Sequence, residues 1–410
     1  MRVKACRICE EDSLVRVLPL GNMPPVNYFP TRQELGKHTK RYPLNLCLCP
    51  NCGLVQLDEV APAEELFRNY HYLTAASKPL IDHFRSLARE CFNRRFIGAR
   101  GKILDIGAND GTLLFQFQKL GAKALGVDPS LNAVAAAKKI GVEVLPTFFS
   151  EKVAQEIRSK RGTFQMITAT NVMAQTDDVE GLLRGVKTLH APKGIFVAEF
   201  AHLLDMIVKN QFDVIYHEHL SYFSFKPLLR LFETNDFKII DAKKILTQGG
   251  SLRIYARHRQ EASQTRSESL DAILQEEKEN YITDLSTLQR FAQEVEQFRR
   301  DMRKLIHDIK KRGKKIVGVG APAKGVILLN YCGIGAAEID YIVDSTPLKQ
   351  GRFFPGENIP VYAEQKLESD QHDYFLLLSW NFQEAILEKL QPYRAKGAKV
   401  IIPFPKLRVI

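Results

Sequence analysis

The segment Ile103-Leu104-Asp105-Ile106-Gly107-Ala108-Asn109-Asp110-Gly111 constrains the fold of this chain most. An apolar run that breaks into glycine reads as a buried strand ending in a sharp turn. Gly107 and Gly111 permit close backbone approach and unusual dihedrals. A helix is expected from about Thr112-Leu113-Leu114, with its N-terminal amides free to face a carboxylate. Further on, a second apolar run ends in Gly126-Val127-Asp128. A carboxylate at such a strand end accepts hydrogen bonds from ribose hydroxyls. The arrangement fits a dinucleotide or S-adenosylmethionine (SAM). Asp110 favours SAM, because a carboxylate in the loop repels a pyrophosphate but suits a cationic sulfonium with a free amino group. Asp105, Gly107, Asn109, Asp110, Gly111 and Asp128 are the expected cofactor contacts.

Around this segment the chain divides into three. Residues 1–75 hold five of the seven cysteines and much Pro and Gly. Residues 76–260 alternate short apolar runs with helical stretches, the pattern of a parallel α/β sheet. Strands are expected at Lys102–Ile106, Ala122–Val127, Val142–Leu145, Phe164–Thr170 and Gly194–Phe200. Residues 261–410 open with apolar positions three to four apart, from Leu270 to Leu305, which predicts long amphipathic helices. A second α/β unit follows, with strands near Lys315–Gly318, Ile339–Val343, Tyr374–Leu378 and Val400–Ile402. The expected fold class is thus α/β in three parts: a small metal-binding module, a Rossmann-like SAM domain and a second Rossmann-like domain.

Cys6-x-x-Cys9 and Cys49-x-x-Cys52 are two metal knuckles, the second followed by Gly53. Seven cysteines in 410 residues are too few for a disulfide scaffold, so clustered cysteines are read as metal ligands. Two thiolate pairs complete a tetrahedral zinc site with no open position, hence structural and not catalytic; the alternative is four buried thiols. Cys47, at a strand-like spacing from Cys49, is expected to be a spectator. No run of 18 apolar residues occurs, so no membrane span is expected, and with no apolar signal core at the N-terminus the expected location is cytoplasmic. The net charge, 58 − 47 = +11, suits nucleic acid or a phosphate-bearing small substrate. Because the basic residues are spread along the chain, no nucleic-acid partner is expected. Zinc modules and long helices suit monomers as well as dimers, and a monomer is favoured.

Tyr216-His217-Glu218-His219-Leu220-Ser221-Tyr222 concentrates polar and aromatic groups in seven positions. Two histidines and a glutamate suit a metal or an acid/base set; the plainer reading is a polar loop with satisfied hydrogen bonds.

In their order these motifs resemble the sugar C-methyltransferase family that acts on nucleotide-linked ketosugars. The resemblance covers nearly the whole chain. It rests on the CxxC knuckles, Leu20–Phe29, Cys52–Leu57, Asp105–Leu114 and Tyr216–Ser224. It continues through Gly249-Gly250-Ser251-Leu252-Arg253, Gly320-Ala321-Pro322-Ala323-Lys324-Gly325 and Lys349-Gln350-Gly351-Arg352. It implies a dTDP-linked 4-keto-6-deoxy sugar methylated at C-3: a base removes the proton beside the ketone, and the enolate carbon takes the methyl group. His219 matches the family's general base. Tyr216 and Glu218 match neighbouring active-site positions, and Tyr72 matches a tyrosine presented to the sugar by the N-terminal module. The second α/β domain is implied to grip the nucleotide-sugar, with Lys324, Lys349 or Arg352 near the diphosphate. Asn171 is an expected cofactor contact; Gln175 and Tyr222 are expected to touch the substrate.

The chain also departs from the family. In Asn171-Val172-Met173-Ala174-Gln175 the last position is usually His; Gln cannot shuttle a proton but still hydrogen-bonds a hydroxyl or keto oxygen. In Glu199-Phe200-Ala201-His202 the family tends to Pro-Tyr after the acid, and His202 is read as a surface or supporting residue. Val214 stands where Thr is usual. Two other readings remain: a methyltransferase for RNA or another polymer, which the zinc module and charge support, and a nucleotide-sugar sensor without chemistry, which Gln175 alone supports.

Overall fold

The computed structural model describes residues 3–36, 40–68, 73–262 and 266–410. Three sheets organise them. The first is antiparallel, in the order Val15–Met23, Tyr42–Leu48, Val55–Leu57, Ser221–Tyr222. Its fourth strand comes from the middle of the chain, so the N-terminal module and the His/Glu/Tyr segment share one sheet.

The second sheet has seven strands, in the order Phe237–Ile245, Ser251–His258, His190–Ala201, Phe164–Thr170, Lys102–Ile106, Lys123–Val127, Val144–Leu145. The last five are parallel, and the first two form an antiparallel hairpin on the edge. The run Ile103–Ile106 is buried on both faces, which is why it reads as continuous apolar sequence without alternation. The third sheet runs Val361–Tyr362, Tyr341–Val343, Ile316–Val319, Tyr374–Leu377, Lys399–Ile402, Arg408–Val409, parallel except for the last strand. All nine expected strands are present with ends shifted by a few residues, the largest shift being the earlier start of His190–Ala201.

In both large sheets the chain winds outward from the first strand in one direction, then returns to its other side. The strand order therefore reverses beside Lys102–Ile106 and again beside Ile316–Val319, where ligand crevices form at the carboxyl ends.

The helix Leu285–Lys311 buries Leu288, Phe291, Val295, Phe298, Met302, Ile306 and Ile309 along one stripe, the expected spacing of three and four. That stripe belongs to a single core that also takes in the N-terminal sheet, residues Leu203–Tyr222 and the C-terminal domain. The helix therefore welds the parts together and is more than a linker between them. Among the described residues no helix is long and apolar enough to cross a membrane.

Candidate active site

Cys6, Cys9, Cys49 and Cys52 bring their sulfurs within 4.8 Å of one another. Cys6 and Cys52 lie 3.5 Å apart, and Cys9 and Cys49 3.4 Å apart. A tetrahedron of zinc–sulfur bonds of about 2.3 Å has sulfur–sulfur edges of about 3.8 Å, so the donor set fits zinc. The backbone N–H groups of Ile8 and Cys52 donate to the sulfurs of Cys6 and Cys49. Gly53 sits at φ +81°, the left-handed conformation that closes the second knuckle. Cys47 lies in the Tyr42–Leu48 strand, outside this group. No His or Glu joins a metal-ligand cluster among the described residues, so the Tyr216–Tyr222 segment does not form the metal site that its composition allows.

One cavity of about 1370 Å³ runs between the two α/β domains. At its cofactor end the strands deliver Asp105, Gly107, Asn109 and Asp128 to the wall. Gly107 has φ +71°, and a Cβ there would lie 2.2 Å from Val172 Cγ2, so only glycine permits the turn. Asp128 is fixed by two backbone amides: Ser130 N–H donates to Oδ1 and Asn109 N–H to Oδ2, both at 2.8 Å. Burial raises its pKa. Burial also pushes Asp105 up to about 7, against the Thr168 hydroxyl that donates to it at 2.6 Å. Asn171, at φ +58°, also lines the wall and donates its N–H to Glu199 O. The ionisable groups lining this half are Asp105, Asp128 and Asp177, with no lysine or arginine among the described residues. The end fits a cationic sulfonium ligand with a ribose.

Asp110 and Gly111 lie behind that wall. The Asp110 carboxylate accepts from Ala75 N–H at 2.7 Å and from the Thr112 hydroxyl at 2.6 Å. Gly111 makes room for Val142, which a Cβ would meet at 2.9 Å. Both residues shape the turn and neither faces the cavity.

His219 projects into the cavity from a tight turn, its N–H donating to Tyr216 O at 2.8 Å. The Tyr216 and His219 rings face each other at 4.0 Å, tilted by 35°. His219 Nδ1 lies 2.9 Å from Val214 O. A carbonyl only accepts, so Nδ1 carries the proton and Nε2 keeps its lone pair. Burial lowers the imidazole pKa to about 4, with the positive charge of Lys324 acting in the same direction. The ring is therefore a neutral base at pH 7. Val214 acts through its main chain, which does not require the family's threonine.

The other members of the segment point elsewhere. His217 Nε2 meets Tyr42 O at 3.1 Å inside the N-terminal module. Glu218 is buried and accepts from Asn27 Nδ2 at 2.7 Å, placing it one residue behind the wall that Asn27 lines. Tyr222 is buried in strand pairing opposite Val55 and does not line the cavity, contrary to the expected substrate contact. Gln175 does line it, at the end of the short helix Met173–Gln175.

The far end belongs to the C-terminal domain. Lys324 Nζ is buried, donates to Gln248 O at 2.7 Å and sits 4.7 Å from the Trp380 ring centre. Lys349 Nζ donates to Ala321 O at 2.8 Å. Burial lowers both amines, with Asp213 and Asp344 respectively opposing. Asp344 lines the same end, its oxygens accepting from Ala321 N–H at 2.6 Å and Thr346 N–H at 2.7 Å. Arg352 instead donates to Phe29 O at 3.1 Å, tying the domain to the N-terminal module away from the cavity. Tyr72 lies outside the described residues.

His202 is buried between Asp205, 3.2 Å from Nδ1, and Glu277, 2.8 Å from Nε2. It joins the methyltransferase sheet to the following helix and is not on the surface. Arg253, from the Gly249–Arg253 motif, is likewise internal, paired with Glu199 at 2.5 Å and Glu90 at 2.9 Å. Sequence reasoning missed Asp344 and Trp380. The signal for Asp344 was present: Ile342-Val343-Asp344 follows Gly320 as Gly126-Val127-Asp128 follows Gly107. Trp380, the sole tryptophan, carried no pattern.

Three family models match the chain: "Putative zinc binding domain" over residues 6–67, "Methyltransferase domain" over 63–242 and "C-methyltransferase C-terminal domain" over 246–405. The chain is 32% identical to the C-methyltransferase NovU of Streptomyces niveus over 409 residues, covering 100% of this chain and 97% of NovU. It is 24% identical over 213 residues to a ubiquinone biosynthesis O-methyltransferase of Colwellia psychrerythraea, covering 47% of this chain and 87% of that protein. Solved structures with similarity include magnesium protoporphyrin IX methyltransferase from Synechocystis with bound SAM, at 14% identity and a TM-score of 0.32, covering 43% of this chain and 77% of that one.

Proposed function

The chain belongs to the C-methyltransferase family and is a SAM-dependent methyltransferase, and from that premise we propose that it methylates C-3 of a dTDP-linked 4-keto-6-deoxy sugar. The observation that carries the proposal is His219. It presents an unprotonated Nε2 to a cavity whose lining is acidic at one end and at the other carries Lys324 and Lys349 beside Asp344 and Glu384.

SAM, when bound, supplies the electrophile, a sulfonium methyl that a carbanion takes while the C–S bond pair returns to sulfur. Asp128 accepts from its ribose hydroxyls, and Asp105, Gly107, Asn109 and Asn171 complete that wall. Lys324 and Lys349 offset the charge of the sugar diphosphate, and Asp344 receives a hydroxyl of the nucleoside. His219 Nε2 removes the proton beside the ketone. The C–H pair becomes a carbon–carbon double bond, and the carbonyl pair moves to oxygen. Val214 O holds the imidazole in the correct tautomer, and Tyr216 fixes the ring plane. Gln175 offers an amide to a sugar oxygen. Cys6, Cys9, Cys49 and Cys52 hold a structural zinc, leaving no open position for chemistry.

The test is incubation with SAM and dTDP-4-keto-6-deoxyglucose, or its 2- or 3-deoxygenated relatives, followed by mass spectrometry. A gain of one methylene mass is expected. SAM binding with no gain on any of these sugars overturns the substrate assignment.

A further inference from the structure

Arg7 lies between the two cysteines of the first knuckle, yet its guanidinium serves the far side of the active site. The side chain is 2% exposed. Its Nε donates to Asp177 Oδ1 at 2.8 Å. Its Nη1 donates to Leu57 O at 2.8 Å and to Leu220 O at 3.3 Å. Its backbone N–H donates to Gln56 Oε1 at 2.9 Å, which locks the knuckle against the same sheet.

Two of these contacts lie one or two positions from the reaction site. Leu220 follows His219, and Asp177, itself in the cavity wall, is two residues beyond Gln175. The Leu220 peptide is gripped on both sides: its N–H donates to Ala174 O at 2.7 Å, and its carbonyl accepts from Leu57 N–H at 2.9 Å as well as from Arg7. The turn that carries His219 is thus held between the Met173–Asp177 loop and the zinc knuckle. Burying a guanidinium is costly. A rigid planar fork of donors is what fixes the strand end at Leu57, the Leu220 turn and the Asp177 loop at one spacing.

We propose that Arg7 is a positioning residue for methyl transfer: it sets the spacing between the Gln175 loop and the His219 turn, so that base geometry depends on the metal knuckle. This rests on His219 acting as the base. The proton-removal step needs near-attack geometry, and a displacement of about 1 Å costs about 100-fold in rate.

The test uses the full-length, zinc-loaded protein and the variant Arg7→Met, which keeps length and apolar volume. Two readouts are taken. Amide hydrogen exchange over residues 216–222, without substrate, is expected to speed up about 10-fold or more. Solvent deuterium uptake at C-3 of dTDP-4-keto-6-deoxyglucose, and kcat for methylation, are expected to fall about 10- to 100-fold. Zinc content, SAM affinity and KM stay near wild type. Arg7→Lys is expected to restore part of the rate, and Asp177→Ala, which removes a half-exposed partner, to lose only about 3-fold.

Unchanged amide exchange over 216–222 in Arg7→Met overturns the proposal, as does a wild-type kcat. If Arg7→Met fails to fold, Asp177→Ala decides: wild-type deuterium uptake there overturns it. Should the wild-type protein neither exchange nor methylate the sugar while 216–222 still loosens in Arg7→Met, the brace stands and the substrate reading alone fails.

Discussion

The two doubly wound sheets meet one cavity with the same backbone device, and only the second adds lysines to it. In the first, Gly107 N–H donates to Val127 O at 2.8 Å; in the second, Gly320 N–H donates to Val343 O at 2.8 Å. Each glycine has positive φ. Asp128 and Asp344 follow, each with both oxygens held by main-chain amides. The differences begin two residues before the glycine. Asp105 occupies that place in the first sheet and Gly318 in the second. The residue four past it is Gly111 in the first and Lys324 in the second. After Asp128 the chain enters the helix Leu131–Lys139, capped by Ser130. After Asp344 it makes a turn, with Lys349 N–H donating to Thr346 O, that carries a second lysine into the cavity. The two ends therefore share a backbone frame, and the side chains set on it differ: on the proposed reading this is what separates a cationic cofactor from a nucleotide-sugar.

Between the ends stands His219, and its removal should have the largest effect. His219→Ala is expected to lower turnover about 1,000-fold or more while SAM affinity stays within about two-fold. Stopped turnover with both ligands still bound would confirm that the base belongs to neither end. Full activity would remove it from the mechanism.

Zinc removal comes next. Because Ser221–Tyr222 pairs with Val55–Gln56, stripping the metal with a chelator should loosen the His219 turn as well as the module. The expected outcome is a fall of about 100-fold in turnover and a clear drop in thermal midpoint. Retained stability and activity in metal-free protein, checked by metal analysis, would dissolve the link.

Asp344→Ala sharpens the comparison. It should weaken binding of dTDP alone about 10-fold and leave SAM untouched. Calorimetry reads both.

The pH dependence is the smallest effect. His219 is pushed down to about 4 by burial, below the ordinary value near 6.5. Since the neutral form is the base, activity is lost only as pH falls through the folded-state value. The limb set by His219 should therefore lie between about 4 and 5 in kcat, read at saturating SAM so that Asp105, pushed up to about 7 in the cofactor wall, does not contribute. A limb near 6.5 would mean the imidazole is solvated.

Much of this was legible in the sequence because it is local. Strand ends at Ile106 and Thr170, the two knuckles and the heptad-like stripe of Leu285–Lys311 all follow from nearest-neighbour chemistry and periodicity. What escaped is set by contacts distant in sequence. Ser221–Tyr222 is a two-residue strand whose partner lies more than 160 positions earlier, and so short a run carries no alternation. Asp110 has the residue type a sulfonium would favour, but Ala75 and Thr112 already use its carboxylate. Arg352 sits in a basic motif, yet the turn aims it at Phe29 O. Residue type was readable at these positions; side-chain direction was not.

The central claim, one cavity with a cofactor end and a nucleotide-sugar end, is tested most directly by crossing two variants with two ligands. Asp128→Ala and Lys349→Ala are each titrated calorimetrically with SAM and with dTDP. The account predicts a loss of about 10- to 100-fold for SAM in Asp128→Ala alone and for dTDP in Lys349→Ala alone. Loss of dTDP binding in Asp128→Ala, or dTDP binding in Lys349→Ala as tight as in wild type, would contradict it.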